Sequence, residues 1–133
     1  MTEVVAALIL KDGKFFAGKR PPHKKRALLY EFVGGKVEPG ETREQALTRE
    51  CREELGCYVL ADSLYTDVIH EYPDLTVHLY IYLAHIESGT PQLLEHTEHR
   101  WMYPDEAKAE EFCPADKEIL EMIRKDFGRS HAE

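Results

Sequence analysis

The sequence predicts a sandwich of the α/β or α+β class, built as one domain over residues 1–133. Three observations carry that expectation. Strand-like runs, some nearly all apolar and others alternating, are interleaved with helical segments rather than segregated from them. Three segments carry helix signals, one capped at Thr42, a short one with Pro104 in its first turn and one opening at Pro114. A chain of 133 residues, 43% hydrophobic with seven Tyr, five Phe and one Trp, can bury one core and is short for two.

In chain order, "EVVAALIL" is a nearly continuous apolar run and reads as a first strand. Asp12-Gly13, a favoured hairpin dipeptide, turns it into "KFFAGKR". Pro21-Pro22 and the charges of "PPHKKRALLY" mark a loop, and "EFVGG" resumes a short extended piece ending on two glycines. In "EPGE", Pro39 and Gly40 suit the central positions of a type II turn. A helix is predicted from Thr42 to Leu55, opened by a Thr42/Gln45 capping box and stopped by Gly56. "LYTDVIHEY" and "LTVHLYIYLAHI", separated by Pro73-Asp74, read as an antiparallel pair, with Val77, Leu79, Ile81 and Leu83 on one face. "HRWMY" reads as another short strand, and "PDEAKAEEF" as a short helix with Pro104 in its first turn. "PADKEILEMIRKDFG" closes the order as an amphipathic helix whose Ile119, Leu120, Ile123 and Phe127 share a face.

The formal charge of −8 opposes docking of a nucleic-acid polymer, which needs basic stripes to displace counterions. A small phosphorylated substrate remains compatible, with divalent cations standing between its phosphates and the carboxylates. "MTEVVAALILKDG" lacks a basic n-region and its apolar run stops at Lys11, so a strand is expected there rather than a signal peptide. No stretch approaches the roughly 18 apolar residues of a membrane span. Cys51, Cys57 and Cys113 are odd in number and lack metal-ligand spacing, which points to reduced thiols and a cytoplasmic protein.

On the predicted helix, Glu50, Glu53 and Glu54 are related by i, i+3 and i+4 and occupy an arc of about 100°. Leu47, Cys51 and Leu55 form the adjoining arc, suited to a core. Exposed like charges at this spacing cost a few tenths of a kcal/mol per pair. A hard cation reverses that sign, and Mg²⁺ favours one or two carboxylates together with substrate phosphates. A solvated acidic face explains the charge but not its order.

That order resembles the Nudix box, G-x5-E-x7-R-E-U-x-E-E-x-G-U with U aliphatic: Gly35, Glu41, Arg49, Glu50, Glu53, Glu54 and Gly56 are all in place. These seven coincide by chance about once in 10⁵ shuffled chains of this composition. The departures are Cys51 and Cys57 at the two U positions, where buried Cys acts as a small hydrophobe and loosens packing. Beyond the box, "YEFVGGKVEPGE", "EYPDLTVHLYIYL", "HRWM" and "CPAD" resemble the MutT-type nucleoside triphosphate pyrophosphohydrolases of that superfamily. The resemblance implies a Nudix-type α/β/α sandwich with a mixed β-sheet between helices. It implies Mg²⁺ or Mn²⁺ as cofactor, and hydrolysis of a nucleoside triphosphate to monophosphate and pyrophosphate by water attack at the β phosphorus.

The same resemblance implies residue roles. Glu50, Glu53 and Glu54 correspond to metal ligands, with Glu53 or its neighbours activating water, and the Gly34 carbonyl to a further ligand. Glu95 corresponds to another carboxylate serving as ligand or base, with Glu98 the competing position. Arg49, paired with Glu41 to orient the helix, counts with Glu50, Glu53 and Glu95 as catalytic; Gly35, Glu41 and Gly56 are structural. Arg20 and Lys36 are assigned to the phosphates, against the simpler reading of surface ion pairs. The cluster His23, Lys24, Lys25 and Arg26 reads as a solvated loop or a lid. His70, His78 and His85 read as exposed or partner-facing strand residues. His96 and His99 fall nearer the site without a cysteine partner for zinc. Tyr72, Tyr80 and Tyr82 read as packing, with one able to stack on a base, and Trp101 as core.

Asp116 is the residue assigned to the base. The bacterial oxidised-guanine enzymes carry Asn at that position and cytosine-nucleotide relatives carry Asp. An ionised Asp accepts only, as cytosine's N4 amino group requires; a protonated one regains a donor and with it 8-oxoguanine. Asp116 as a plain helix N-cap is the structural alternative. Cytosine triphosphates and 8-oxo-dGTP therefore both stand as substrates. Another diphosphate such as ADP-ribose, or a catalytically idle nucleotide-binding module, are the competing functions. The expected partner is a small-molecule nucleotide, with no membrane; oligomeric state is not legible.

Overall fold

A computed structural model describes residues 1–128 of the chain. Its strands are β1 (Thr2–Lys11), β2 (Lys14–Lys19), β3 (Tyr30–Glu31), β4 (Val33–Lys36), β5 (Tyr58–Glu71), β6 (Thr76–Ser88) and β7 (Glu98–Met102). The helices are α1 (Arg43–Leu55) and α2 (Lys117–Phe127). β1 is the organising strand: it runs parallel to β6 from Thr2 to Ile9 and antiparallel to β4 and to β2. β5 completes one edge beside β6, while β3 and β7 flank β2. The sheet is therefore mixed, as expected.

Alternation along β1 creates the layers. Ala6 and Leu8 point to a core shared with Val77, Leu79 and Ile81 of β6 and Ile119, Leu120 and Ile123 of α2. Val5, Ala7 and Ile9 point the other way, onto Ala46, Leu47, Cys51 and Leu55 of α1. One helix thus covers each face, completing the α/β/α sandwich. Leu83 and Phe127 pack against the α2-side core from its margin. Cys51, Cys57 and Cys113 are buried free thiols, and burial pushes the Cys51 and Cys113 thiols up, which leaves them inert hydrophobes.

The local signals of α1 are present as predicted. Thr42 Oγ1 accepts from Gln45 N at 3.1 Å, the Gln45 side chain accepts from Thr42 N at 2.9 Å, and Gly56 ends the helix at φ +69°. Only glycine adopts that left-handed cap without strain. Gly56→Ala is expected to cost about 1 kcal/mol, read as a lower urea midpoint at unchanged m value; an unchanged midpoint refutes the cap. The Asp12-Gly13 hairpin, with both residues at positive φ, sets Lys11 opposite Lys14.

Four expectations are corrected. "PDEAKAEEF" forms two 3₁₀ turns, Pro104–Glu106 and Ala109–Glu111, because its buried residues are Pro104, Ala107 and Phe112, of which only Phe112 is a large apolar side chain, and these make no helical stripe that could hold a helix together. Pro114–Asp116 is likewise a 3₁₀ turn, and α2 starts only at Lys117. Trp101 is half-buried at the rim rather than in the core, edge-on to Phe16 with centroids 5.1 Å apart. β5 also starts six residues before the predicted run and reaches its register with β6 through irregularities near Ala61 and Leu64.

Candidate active site

The strand-turn-helix at the box is fixed by backbone constraints. Glu41 N donates to the Glu38 carbonyl at 3.1 Å across Pro39-Gly40, with Gly40 at φ +80°, as a type II turn requires. β4 enters this turn alongside β1 so closely that Gly34 sits directly against the Val5 carbonyl. Gly35 is covered by the Glu50 carboxylate. The glycine pair thus lets helix carboxylates reach the strand backbone.

Arg49 forks onto Glu41, Nε to Oε2 at 2.7 Å and Nη2 to Oε1 at 3.0 Å, and holds Glu41's carboxyl below the usual range. It also reaches Glu50 at 2.6 Å, Glu53 at 3.2 Å, Glu38 at 3.5 Å and the Lys36 carbonyl at 3.0 Å. Arg49 is not among the residues lining the neighbouring cleft; its guanidinium is engaged by protein acceptors, including the cleft residues Glu50, Glu53 and Lys36. Glu41 and Gly56 also stand outside the cleft.

That cleft, about 640 Å³, gathers Gly34, Gly35, Glu50, Glu53, Glu54, Glu95, Arg20, Lys36 and Asp116, residues drawn from β2's end through α2's start. Its lining divides by chemistry. Carboxylates and glycines make one part; Phe32, Tyr72, Leu75, Val77, Leu79 and Ala115 make an apolar part that includes Asp116. Glu53 is solvent-facing, whereas Glu50 and Glu54 are largely covered. Glu95 lines the cleft, ion-paired to Lys24, whose ammonium holds the Glu95 carboxyl below its usual range. Glu98 stands on β7 outside it, bonded to the Tyr30 hydroxyl.

Sequence reasoning missed Glu31. It accepts Arg20 Nη1 at 2.9 Å on one oxygen and faces His96 Nε2 at 3.1 Å with the other. Donor atoms of Glu31, Glu54 and His96 lie within 4.8 Å of one another, whereas Glu50 and Glu53 turn toward Arg49. No spacing signal links these positions. Burial, then the neighbouring Glu31 and Glu50, push the Glu54 carboxyl up to about 10. Crowded oxygen donors under mutual repulsion are the environment a hard divalent cation relieves, so the residues fit such an ion.

Asp116 is buried, and its side chain makes no helix-cap hydrogen bond, which removes the plain N-cap alternative. Burial, reinforced by Glu31, raises its carboxyl well above the usual range, with Arg20 opposing. Beside it the Tyr72 hydroxyl accepts from Ala115 N at 2.9 Å. The Arg26 guanidinium lies 4.0 Å over the Tyr72 ring and 3.0 Å from Asp74. The basic loop is therefore tied at Arg26 and Lys24 to two sides of the cleft. Away from it, His78 pairs with Asp67, and His85 with Asp62 and Glu87. Tyr80 stacks on His78, Tyr82 is buried, and His70 packs edge-on to Tyr72.

A cleft that sets carboxylates beside a glycine pair on an α/β/α sandwich is suited to hold a phosphorylated ligand through divalent cations. The chain belongs to the NUDIX domain family, whose model matches residues 4–122, and that family uses divalent metals. It is 41% identical over 121 residues to the CTP pyrophosphohydrolase of Escherichia coli K12, covering 91% of this chain and 90% of that protein. It is 34% identical over 122 residues to the 8-oxo-dGTP diphosphatase of Haemophilus influenzae, with 91% and 90% covered. The crystal structure of the MutT NUDIX hydrolase from Burkholderia pseudomallei superposes with a TM-score of 0.80 at 28% identity, covering 92% of this chain and 97% of that one. No helix among the described residues is long and apolar enough to cross a membrane.

Proposed function

We propose that this single domain is a Mg²⁺-dependent nucleoside triphosphate pyrophosphohydrolase of MutT type, sanitising the cytoplasmic nucleotide pool, with cytosine triphosphates as its leading substrates. The observation that carries the reading is one cleft joining the box carboxylates to an apolar end that contains Asp116. The 41% identity to a CTP pyrophosphohydrolase supports the base.

The Gly34 carbonyl, Glu50, Glu53 and Glu54, with Glu95 beside them, would hold the ion. Bound there, Mg²⁺ or Mn²⁺ screens the triphosphate and acidifies water. The solvent-facing Glu53 removes the proton of the water attacking the β phosphorus, and Arg20 and Lys36 neutralise the phosphate chain. Monophosphate and pyrophosphate leave.

Burial favours the protonated form of Asp116, and in that form it offers one O–H and one carbonyl oxygen. That pair matches cytosine, accepting from the N4 amino group and donating to N3. It also matches 8-oxoguanine, accepting from N7–H and donating to O6, which makes 8-oxo-dGTP the second reading. It mismatches the O6/N7 edge of unmodified guanine, where both atoms accept. Pyrophosphate release over CTP, dCTP, 5-methyl-dCTP, 8-oxo-dGTP, dGTP and ADP-ribose tests the set. Turnover of ADP-ribose alone sinks the triphosphate reading, and binding without any turnover makes the chain an idle module.

The raised carboxyl has a stability consequence with a definite sign. Above about pH 4 the unfolded Asp ionises while the folded Asp116 keeps its proton. Stability from this group is therefore full below the unfolded value and is lost as pH rises toward the folded one. Asp116→Asn keeps the donor-acceptor pair and cannot ionise, so its melting temperature should gain on wild type as pH rises above about 4. A pH-independent gap refutes the neutral Asp.

A further inference from the structure

His96 is a fully buried titratable side chain that the reaction just described leaves unused. It precedes β7 and its ring lies against Gly18 of β2, where a Cβ would stand 2.6 Å from the ring carbons. Nε2 is 3.1 Å from Glu31 Oε2 and 3.6 Å from Glu54 Oε1, while Nδ1 has no hydrogen-bond partner among the described residues. These contacts assign the tautomer. A buried N–H without an acceptor carries its full desolvation cost, whereas an unfilled ring lone pair is tolerated far more easily. The proton therefore sits on Nε2 and is donated to Glu31. The same reasoning disfavours the ring as a metal ligand, because a ligating imidazole gives its other N–H to an acceptor, and Nδ1 has none there.

Glu31 passes this constraint onward. Its second oxygen accepts Arg20 Nη1 at 2.9 Å, and Arg20 Nε donates to the Lys25 carbonyl at 2.8 Å. We propose that His96 is a positioning residue: its Nε2–H fixes Glu31, which fixes the Arg20 guanidinium at the phosphate side of the cleft. The proposal rests on the reading of that cleft as a nucleoside triphosphate site. His96 reaches substrate only through Glu31 and Arg20, so it governs binding more than the hydrolytic step.

The test compares the full-length wild type with His96→Ala, His96→Gln and Gly18→Ala. For each, kcat and KM are measured on the preferred nucleotide, and Kd on an α,β-methylene triphosphate, with melting temperatures as control. Ring ¹⁵N shifts of His96 are recorded with and without Mg²⁺. Expected is a rise of about tenfold in KM and Kd for His96→Ala, with kcat held within about threefold. The Gln amide, able to donate from the place of Nε2, restores binding; Gly18→Ala, which displaces the ring, reproduces the Ala defect. The shifts should report Nε2–H and a bare Nδ1 in both conditions.

Unchanged KM in His96→Ala overturns the proposal, as does a folded Gln variant as weak as Ala. An Nδ1–H pattern, or a ring nitrogen moved strongly by Mg²⁺ as in direct ligation, also overturns it. If His96→Ala does not fold, the Gln variant and the ring shifts decide on the same criteria. A wild type that neither binds nor hydrolyses any nucleotide removes the triphosphate reading and this proposal together. Wild-type turnover that His96 variants leave untouched removes only the role of His96.

Discussion

Glu53→Gln should lower kcat by about 10²–10⁴-fold, the usual contribution of a positioned base, while the protein melts as wild type does. The two halves of that expectation come from different features. Glu53 sits on the cleft side of α1 with its side chain 59% exposed, and its one ion pair among the described residues, to Arg49, is an i,i+4 contact at 3.2 Å. Losing such an exposed pair costs a few tenths of a kcal/mol at most. The charge lost matters only where water must be deprotonated and the ion held. Steady-state pyrophosphate release and a Mg²⁺ titration check the result, with Glu95→Gln and Glu98→Gln alongside. Glu95 lines the cleft and Glu98 does not, so Glu95→Gln should fall in rate and Glu98→Gln should not. A Glu53→Gln enzyme within threefold of wild type means that the base lies elsewhere.

The adjacent glycines should fail in opposite ways. A Cβ at Gly34 would overlap the Val5 carbonyl and crowd Ala6 Cα, which are backbone atoms of the organising strand β1. Neither can move without parting β4 from β1. Gly34→Ala is therefore expected to cost about 3 kcal/mol or more, the scale of overpacking in a rigid interior, and to lower the melting temperature sharply. At Gly35 the obstacle is the Glu50 carboxylate, the far end of a flexible side chain. Gly35→Ala should keep most of its stability and lose most of its activity, because Glu50 must leave the strand backbone. Thermal melts and kcat/KM on the same two preparations separate the cases. Equal stability loss in both would show that the glycine pair serves packing alone.

How much of this was legible in the chain depends on the range of the interaction. The α1 capping box, the Gly56 stop, the Pro39-Gly40 turn and the Asp12-Gly13 hairpin each act within a few residues, and the structure has all four. Helical periodicity likewise put Leu47, Cys51 and Leu55 on the buried face and Glu50, Glu53 and Glu54 beside it. "PDEAKAEEF" misled because a proline and helix-forming residues do not make a helix without an apolar face to bury.

The Glu31–His96 contact joins positions 65 apart, and Arg20–Glu31 crosses the basic loop. No periodicity encodes such pairs. The same holds for charge state. The sequence by itself determined a capped acidic helix behind a glycine pair, and with it a cation-binding phosphate chemistry, because those signals are local and repeat at the pitch of the helix. Only the tertiary structure decided that Glu31 meets His96 and Arg20, and that Asp116 is buried, which pushes its carboxyl up. Desolvation depends on what the rest of the fold brings around a group, and that is written in no stretch of residues near it.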